Sequence, residues 1–252
     1  MSFYFNFWHQ TSGTWINIFT VLIGTSLGLL LRGYLSPNIQ TIITQGIGLL
    51  TVWIGLNMAD SMMQVQVGEI NGAVLGLIAI ILGGVAGELL QIESKLTALG
   101  EWLKQRFRGK DLFTEGFVAS SLLFCIGPMT LIGSLNNGLT GDNTLLILKA
   151  TMDGLVAIPL ANIYGVGVGF STIVILAYQG GLSLVAGSIA NILPSINNNP
   201  YLLLITGIGG LMIMAIGFNL LELVKIRVAS FLPALIVSPF IYWLALYLSN
   251  LA

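Results

Sequence analysis

Eight long apolar stretches dominate this chain of 252 residues. A helix needs about 20 mostly apolar residues to cross the hydrocarbon core of a bilayer, with a usual range of roughly 17 to 25. Only 8% of the residues are charged, whereas a soluble domain carries roughly 25%. The sequence therefore predicts an all-α, polytopic integral membrane protein with about eight transmembrane helices. The predicted spans cover residues 15–31, 39–59, 70–90, 116–135, 144–163, 169–193, 201–224 and 228–249.

Two boundaries follow from local composition. Residues 1–14 include five aromatic side chains but no basic residue and no cleavage pattern of a signal peptide. Aromatic rings concentrate where a bilayer meets water, so we expect residues 1–14 to be an interfacial segment. The remaining residues, 15–252, are expected to form a single transmembrane domain. Three glycines at alternate positions in residues 164–169 predict a tight turn between spans five and six.

The basic residues predict an orientation, because Lys and Arg concentrate in the cytoplasmic loops of membrane proteins. If the N-terminus lies outside, eight of the nine basic residues fall on the inner side. They are Arg32, Lys95, Lys104, Arg106, Arg108, Lys110, Lys225 and Arg227. This distribution predicts eight crossings with both termini outside. Residues 93–110 have apolar side chains at helical spacing and are predicted to form an amphipathic helix on the cytoplasmic leaflet.

Two ten-residue stretches of the chain resemble each other. Residues 48–57 read GLLTVWIGLN and residues 210–219 read GLMIMAIGFN, with five identities. They lie in spans two and seven, and a displacement by five crossings reverses the direction of a helix. The sequence therefore predicts an inverted repeat of spans 1–3 and 6–8, an architecture found in secondary transporters. The alternative is convergent glycine-rich packing of unrelated helices.

The fourth predicted span has a proline in its middle. Pro128 has no N–H group and Gly127 adds flexibility, so a helix is expected to kink or break there. Ser120, Ser121 and Thr130 place hydroxyl groups within a turn or two of this point. Two interpretations stay open. The kink is satisfied by neighbouring helices, or it marks a discontinuous helix that binds a solute or ion.

Five further polar residues lie within the apolar stretches. Lys149 and Asp153 are four residues apart in span five, so they share a helix face and can pair. Lys149 could instead snorkel to the outer surface, whereas Asp153 lies near mid-span and is a candidate for a functional site. Gln179 lies in the middle of span six. Asn57 and Asn219 end the two similar stretches, where they could bind a solute, cap a helix or bridge helices.

No catalytic set is recognisable in the sequence. The single histidine, His9, lies in the N-terminal segment, so no histidine-based metal cluster or triad is expected. There is no GxxxxGK phosphate-binding loop, and a net charge of −1 offers no surface for nucleic acid. We therefore expect no enzyme activity, no metal, no cofactor and no nucleic-acid partner.

Five motifs together form a recognisable pattern. They are EGFVASSLLFCIGPMTLIGSL at residues 115–135, NGLTGD at 137–142, KATMDG at 149–154, YQG at 178–180 and RVASFLPAL at 227–235. The pattern resembles the bacterial membrane family known as domain of unknown function 554, the YdfK/YqgA-like proteins. The resemblance covers nearly the whole chain after about residue 15. It implies a multi-span protein of the bacterial cytoplasmic (inner) membrane, and it adds no substrate or mechanism.

The function that these observations favour is secondary transport of an unidentified small solute or ion. The candidate site residues are Asp153, Lys149, Gln179, Ser120, Ser121, Gly127, Pro128, Asn57 and Asn219. The alternative is a membrane scaffold or sensor that binds a partner protein through residues 93–110 and transports nothing. The expected partners are the lipid bilayer and the solute, and association with a second copy of the chain stays open.

Overall fold

The computed structural model describes residues 2–32, 34, 36–109, 112–190 and 199–249. This part of the chain forms eleven α-helices and one short antiparallel hairpin. The helices are α1 (Ser2–Leu30), α2 (Pro37–Ala59), α3 (Gly72–Leu89), α4 (Ile92–Arg106), α5 (Phe113–Cys125), α6 (Pro128–Thr140), α7 (Thr144–Tyr164), α8 (Gly167–Ile175), α9 (Gly181–Ala190), α10 (Pro200–Leu220) and α11 (Leu232–Ser249). The hairpin pairs β1 (Gln66–Val67) with β2 (Ile70–Asn71).

The helices have the length and composition of transmembrane spans. Seven helical segments are long and apolar enough to cross a membrane, and the number becomes eight if α5 and α6 form one bent span. Large apolar side chains such as Leu77, Ile236 and Phe240 are exposed on the outer faces of the helices. Apolar outer faces on helices of this length suit a hydrocarbon solvent. The prediction of an all-α, polytopic membrane protein with about eight spans is confirmed.

Helix α1 begins earlier than the first predicted span. It runs without a break from Ser2 to Leu30, and its apolar portion starts at Phe7. Residues 2–14 are therefore the start of this helix, and their interfacial location stays a prediction. The sequence has no proline before residue 37 to stop the helix. Two side chains of this part, Thr11 and Thr14, are buried against the protein.

The chain divides into two compact units, whereas a single transmembrane domain was predicted. The first unit contains Met1–Gly46 and Thr97–Pro194, and the second contains Ile47–Leu96 and Ser195–Ala252. Two of the three divisions fall within α2 and α4. Hydropathy cannot reveal such a division, because it identifies each span by its length and apolar content and does not show which spans pack together.

In the first unit, α1 packs closely along α7. A Cβ atom built on Gly24 or Gly28 would lie 2.0 or 2.1 Å from the carbonyl oxygen of Gly154 or Ile158, respectively. Small residues at a spacing of four let the two backbones approach. Helix α7 ends at Tyr164, and Gly165, with φ of +81°, turns the chain into α8. The predicted tight turn between spans five and six is confirmed.

Spans four and six are both interrupted in the first unit. Helix α5 ends at Cys125 and α6 begins at Pro128, with an angle of 62° between them. Span six consists of α8, a π-helical turn at Leu176–Gly180 and α9. The last part of the predicted span 169–193, from residue 191 onward, lies outside the described residues. The sequence therefore located the break in span four, but it gave no sign of the π-helical turn.

Helix α4 confirms most of the predicted amphipathic segment, although Lys110 lies outside the described residues. Its residues Gly100 and Leu103 are buried, whereas Leu99 and Trp102 are exposed. The buried side packs on α5, where the Thr114 hydroxyl donates a hydrogen bond of 2.7 Å to the Glu101 carboxylate.

In the second unit, the similar stretches of spans two and seven pack against each other. A Cβ atom on Gly55 would lie 2.6 Å from the Gly210 carbonyl oxygen, and one on Gly210 would lie 2.6 Å from the Gly55 oxygen. Gly48 and Gly217 make the corresponding reciprocal approach, at 3.3 and 2.9 Å. Helices α3 and α11 pack together in the same unit, with Gly83 against the backbone of Ala234.

Candidate functional site

A buried polar cluster in the first unit joins three transmembrane segments. Lys149 and Asp153 of α7 form an ion pair, and both residues are buried. The Asn17 side chain of α1 donates one hydrogen bond to Asp153 Oδ2 and another to Gln179 Oε1, each 3.0 Å long. Gln179 in turn donates to the Thr14 hydroxyl at 3.3 Å. The cluster therefore holds a carboxylate, an ammonium group and two amides away from lipid.

Lys149 links this cluster to the break in span four. Its Nζ donates a hydrogen bond to the main-chain carbonyl of Phe124, in the last turn of α5. In a continuous helix, that carbonyl would accept from the N–H of residue 128, but Pro128 has none. The ammonium group thus replaces a missing backbone donor. Lys149 points into the protein, so the alternative that it snorkels to the outer surface is wrong.

Gly127 allows the chain to turn between the two half-helices. Its φ of 151° and ψ of 156° lie in a region that is almost restricted to glycine. The chain can therefore leave α5 and start α6 within two residues. The prediction of a break at Gly127 and Pro128 is confirmed in its position.

The π-helical turn brings Gln179 to the cluster. A π-helical turn widens the helix locally, and such turns often occur at functional sites. Gln179 is fully buried and uses its amide oxygen and nitrogen toward Asn17 and Thr14 of α1. Both groups of this amide are therefore satisfied by α1.

Several buried polar atoms of the first unit have no hydrogen-bond partner. Among the described residues, these are Asn17 Oδ1, Thr25 Oγ1, Ser120 Oγ, Ser121 Oγ, Thr130 Oγ1, Ser134 Oγ, Asn162 Oδ1 and Ser183 Oγ. An unpaired buried polar group costs about 1 to 3 kcal/mol. All eight lie in the unit that contains the ion pair. This unit can therefore offer hydroxyl and amide groups to a polar guest.

The predicted site residues fall into two groups. Lys149, Asp153 and Gln179 meet in the cluster. Gly127 and Pro128 lie at the break, beside the Phe124 carbonyl to which Lys149 donates. Ser120 and Ser121 are buried on α5 without partners. These seven residues belong to the first unit.

The two asparagines do not join this cluster. Asn57 is exposed in the second unit and donates to the Trp53 carbonyl, one turn back in its own helix. Asn219, also in the second unit, forms two hydrogen bonds of 2.8 Å with the backbone of Ile226, which hold the loop after α10. Asn219 therefore secures the chain at the end of its helix, whereas the contact of Asn57 lies within its own helix and is not a cap.

Sequence reasoning missed Asn17 and Thr14. Asn17 makes two of the hydrogen bonds that assemble the cluster, and Thr14 makes a third contact with it. Both lie in the first predicted span or at its edge, three residues apart, and so on one helix face. An amide within an apolar span was the available signal, but Asn17 lies close to the start of the predicted span 15–31, where a polar side chain is unremarkable.

The described residues offer no obvious metal centre, since no three His, Cys, Asp or Glu side chains come together among them. The chemistry available to the cluster is hydrogen bonding and charge pairing in a medium of low dielectric constant.

Comparison with known proteins identifies the family. A family described as "Protein of unknown function (DUF554)" matches residues 12–243. The chain belongs to this family. The resemblance predicted from the five motifs is therefore confirmed.

Two bacterial relatives are similar to the DUF554 protein over most of its length. An "Uncharacterized membrane protein YdfK" from Bacillus subtilis (strain 168) is 26% identical over 227 residues, covering 90% of this chain and 93% of the relative. An "Uncharacterized protein YqgA" from Escherichia coli (strain K12) is 29% identical over 232 residues, covering 90% and 94%. No solved structure gives a significant match. The description of YdfK as a membrane protein agrees with the long apolar helices of this chain.

Proposed function

We propose that this DUF554 protein is a secondary transporter or permease for a small solute. The observation that carries the proposal is the Lys149–Asp153 pair, buried beside an interrupted helix. Placing one such charge at the centre of a bilayer costs at least about 2.5 to 3.5 kcal/mol on insertion scales. A fold that only needed to span the bilayer would be more stable with apolar side chains at both positions. Discontinuous helices with polar groups at mid-membrane are typical of solute and ion sites.

The packing of the second unit supports an inverted repeat as part of this proposal. If spans two and seven are related by a two-fold axis, Gly48 corresponds to Gly210 and Gly55 to Gly217. A two-fold contact must then be reciprocal, so that Gly48 meets Gly217 and Gly55 meets Gly210. These are the contacts that the two helices make. Helices α3 and α11, the third and eighth spans, also pack together.

The distribution of charge supports a location and an orientation. We infer that the protein lies in a bacterial cytoplasmic membrane, because both relatives are bacterial and eight of nine basic residues fall on one side of the predicted topology. This side would be the cytoplasm, and both termini would lie outside.

The scaffold alternative keeps one supporting observation. Leu99 and Trp102 of α4 are exposed beside exposed cationic side chains such as Lys95 and Arg106. Such a surface suits the headgroup region of a membrane and could also receive a partner protein. A scaffold of this kind would not depend on the buried cluster, which gives the discriminating experiment.

The test is solute uptake into proteoliposomes made with the full chain. The panel contains radiolabelled succinate, glutamate and phosphate as anions, choline and putrescine as cations, and glucose as a neutral solute. We expect at least one solute to accumulate above the level of protein-free liposomes, and Asp153→Asn to abolish that uptake. The double variant Lys149→Met/Asp153→Asn should also be inactive, which separates loss of the site from loss of stability.

Asp60→Asn is the matched control, because Asp60 is exposed in the second unit and the substitution is the same. This variant should transport at the wild-type rate. The transport proposal fails if no solute of the panel accumulates, or if folded Asp153→Asn protein transports as well as the wild type.

A further inference from the structure

The break in span four places two opposite helix ends close together. Phe124 and Pro128 are four residue steps apart, and a chain of that length spans at most about 14 Å. The carboxyl end of α5 carries a partial negative charge, and the amino end of α6 carries a partial positive charge. Two of the three residues between them, Cys125 and Ile126, are 7% and 4% exposed, and Gly127 is half-buried. Both helix ends therefore act in a medium that screens charge weakly.

The partial negative charge at the carboxyl end of α5 is already matched by a cationic side chain of the protein. Lys149 donates to the Phe124 carbonyl and is paired with Asp153. Asp153 also accepts a hydrogen bond from Asn17. The negative helix end and the carboxylate are thus both neutralised from within the chain, so this side of the break has no need of a cationic solute.

The amino end of α6 has donors of the opposite kind. Pro128 is the first residue of this 13-residue helix. The N–H groups of Met129 and Thr130 lie in its first turn, where a helix provides no acceptor. Helix amino ends of this type bind anions through their N–H groups and their dipole.

A second observation points to a ligand at the same place. Thr130 is 0% exposed, and its hydroxyl has no hydrogen-bond partner. Because the Cα–Cβ bonds of a helix tilt toward its amino end, the Thr130 side chain leans toward the first turn of α6. Ser134, one turn further on the same face, is also fully buried and without a partner.

Thr130 and Ser134 share their unpaired state with the buried hydroxyls of Thr25, Ser120, Ser121 and Ser183. Several threonine hydroxyls in other helices instead donate to a carbonyl three or four residues earlier. Thr11, Thr20, Thr151 and Thr172 all do so, at 2.7 to 3.0 Å. Ser134 has the same local option in α6 and does not take it. For Thr130 the corresponding carbonyls belong to Ile126 and Gly127, which lie before the start of α6. The hydroxyls of Thr130 and Ser134 stay available to accept or donate a hydrogen bond.

We propose that the transported solute carries an oxyanion group, a carboxylate or a phosphate, which binds at the amino end of α6. The N–H groups of Met129 and Thr130 and the hydroxyl of Thr130 donate to this group. The inference rests on the proposed transport function, because it names the chemical class of the solute. It is also open to a test of binding that does not require transport.

The binding test uses the full chain in nanodiscs. The midpoint of thermal unfolding is measured during titration with sodium succinate, sodium phosphate, choline chloride and putrescine, with sodium chloride at matched ionic strength as the reference. We expect a saturable rise with succinate or phosphate and none with the cations, because a ligand that binds the folded state stabilises it. Comparing succinate with phosphate identifies the source of the oxyanion.

Variants of Thr130 locate the effect. Thr130→Val keeps the shape and removes the hydroxyl, so the half-saturating concentration should rise about tenfold or more, as expected for loss of a hydrogen bond to a charged group. Thr130→Ser keeps the hydroxyl and should stay within about threefold of the wild type. Thr151→Val is the matched control, because Thr151 is exposed on α7, and it should bind as the wild type does.

The outcomes separate this inference from the transport proposal. The anion site is supported if anions bind saturably and the Thr130→Val substitution weakens that binding. If, in addition, no solute of the panel is taken up, only the transport proposal fails. Uptake of choline, putrescine or glucose without anion binding overturns the anion site and leaves transport standing. A titration in which neither succinate nor phosphate raises the midpoint also overturns it, as does equal anion binding by Thr130→Val and the wild type.

Discussion

Asp153 and Lys149 are stabilised by a small number of specific contacts. Asp153 has the ammonium group of Lys149 and the amide of Asn17, and Lys149 also has the Phe124 carbonyl. In a low-dielectric interior, each charge depends on its partner, because an unpaired charge keeps its full desolvation cost. Removal of one member should therefore be more harmful than removal of both.

This argument predicts a non-additive pair of substitutions. Asp153→Asn or Lys149→Met alone should lower the free energy of unfolding by about 3 to 5 kcal/mol. The double variant should recover most of this loss, since no buried charge is left. Denaturant titration of purified protein in micelles measures the three values. Additive losses in the double variant would contradict the interpretation of a coupled pair.

At the scale of elements, spans four and six show two ways of interrupting a helix. Span four stops and restarts, because Pro128 cannot donate to Phe124 and Gly127 adopts a conformation closed to other residues. Span six continues through a π-helical turn that carries Gln179. The first interruption leaves the Phe124 carbonyl free to accept from Lys149. It also exposes the N–H groups at the amino end of α6. The second brings an amide to Asn17.

The turn at Gly127 gives a prediction about the break itself. Gly127→Ala should destabilise the protein by about 1 to 3 kcal/mol, because alanine is strained at a φ of 151° and ψ of 156°. Gly46→Ala is the control: Gly46 is helical, and no atom lies within 4 Å of an added Cβ. This change should be neutral or slightly stabilising. Thermal unfolding of both variants checks the difference, and equal midpoints would argue against a constrained turn.

At the scale of the whole molecule, the chain forms two compact units of different character. The first unit contains the ion pair and all the unpaired buried polar atoms found among the described residues. The second contains the glycine contacts between the two similar stretches. Among the described residues, the unpaired buried polar atoms are therefore confined to the first unit, whereas close glycine packing occurs in both units. This distribution agrees with a division into a unit that binds and a unit that supports.

The predicted topology can be tested by labelling introduced cysteines. In a Cys125→Ala background, Thr140→Cys and Ser249→Cys should react with a membrane-impermeant maleimide from outside intact cells. Gln105→Cys, on α4, should react only after permeabilisation. The reason is that α5 and α6 must cross the membrane together if basic residues are to lie on one side. Labelling of positions 105 and 140 from the same side would mean that α5–α6 does not cross.

The difference between predicted and observed site residues has a physical basis. Lys149 and Asp153 were found because helical spacing fixes the distance between residues four apart. The break was found because the effects of proline are local to the chain. Asn17 was missed because it is 136 residues from Asp153 in sequence. Only the packing of α1 on α7 determines that these two side chains meet, and no local pattern records it.

The sequence by itself determined the helical membrane fold, the position of the break and the pairing of Lys149 with Asp153. Each depends on short-range chemistry: span length on the thickness of the bilayer, the break on a missing N–H group and the pair on the helical repeat. The tertiary structure alone decided that α1 continues from residue 2, that the chain forms two units, and that Gln179 and Asn17 complete the cluster. The division into units and the completed cluster depend on which helices pack against each other, and no local stretch of sequence records that.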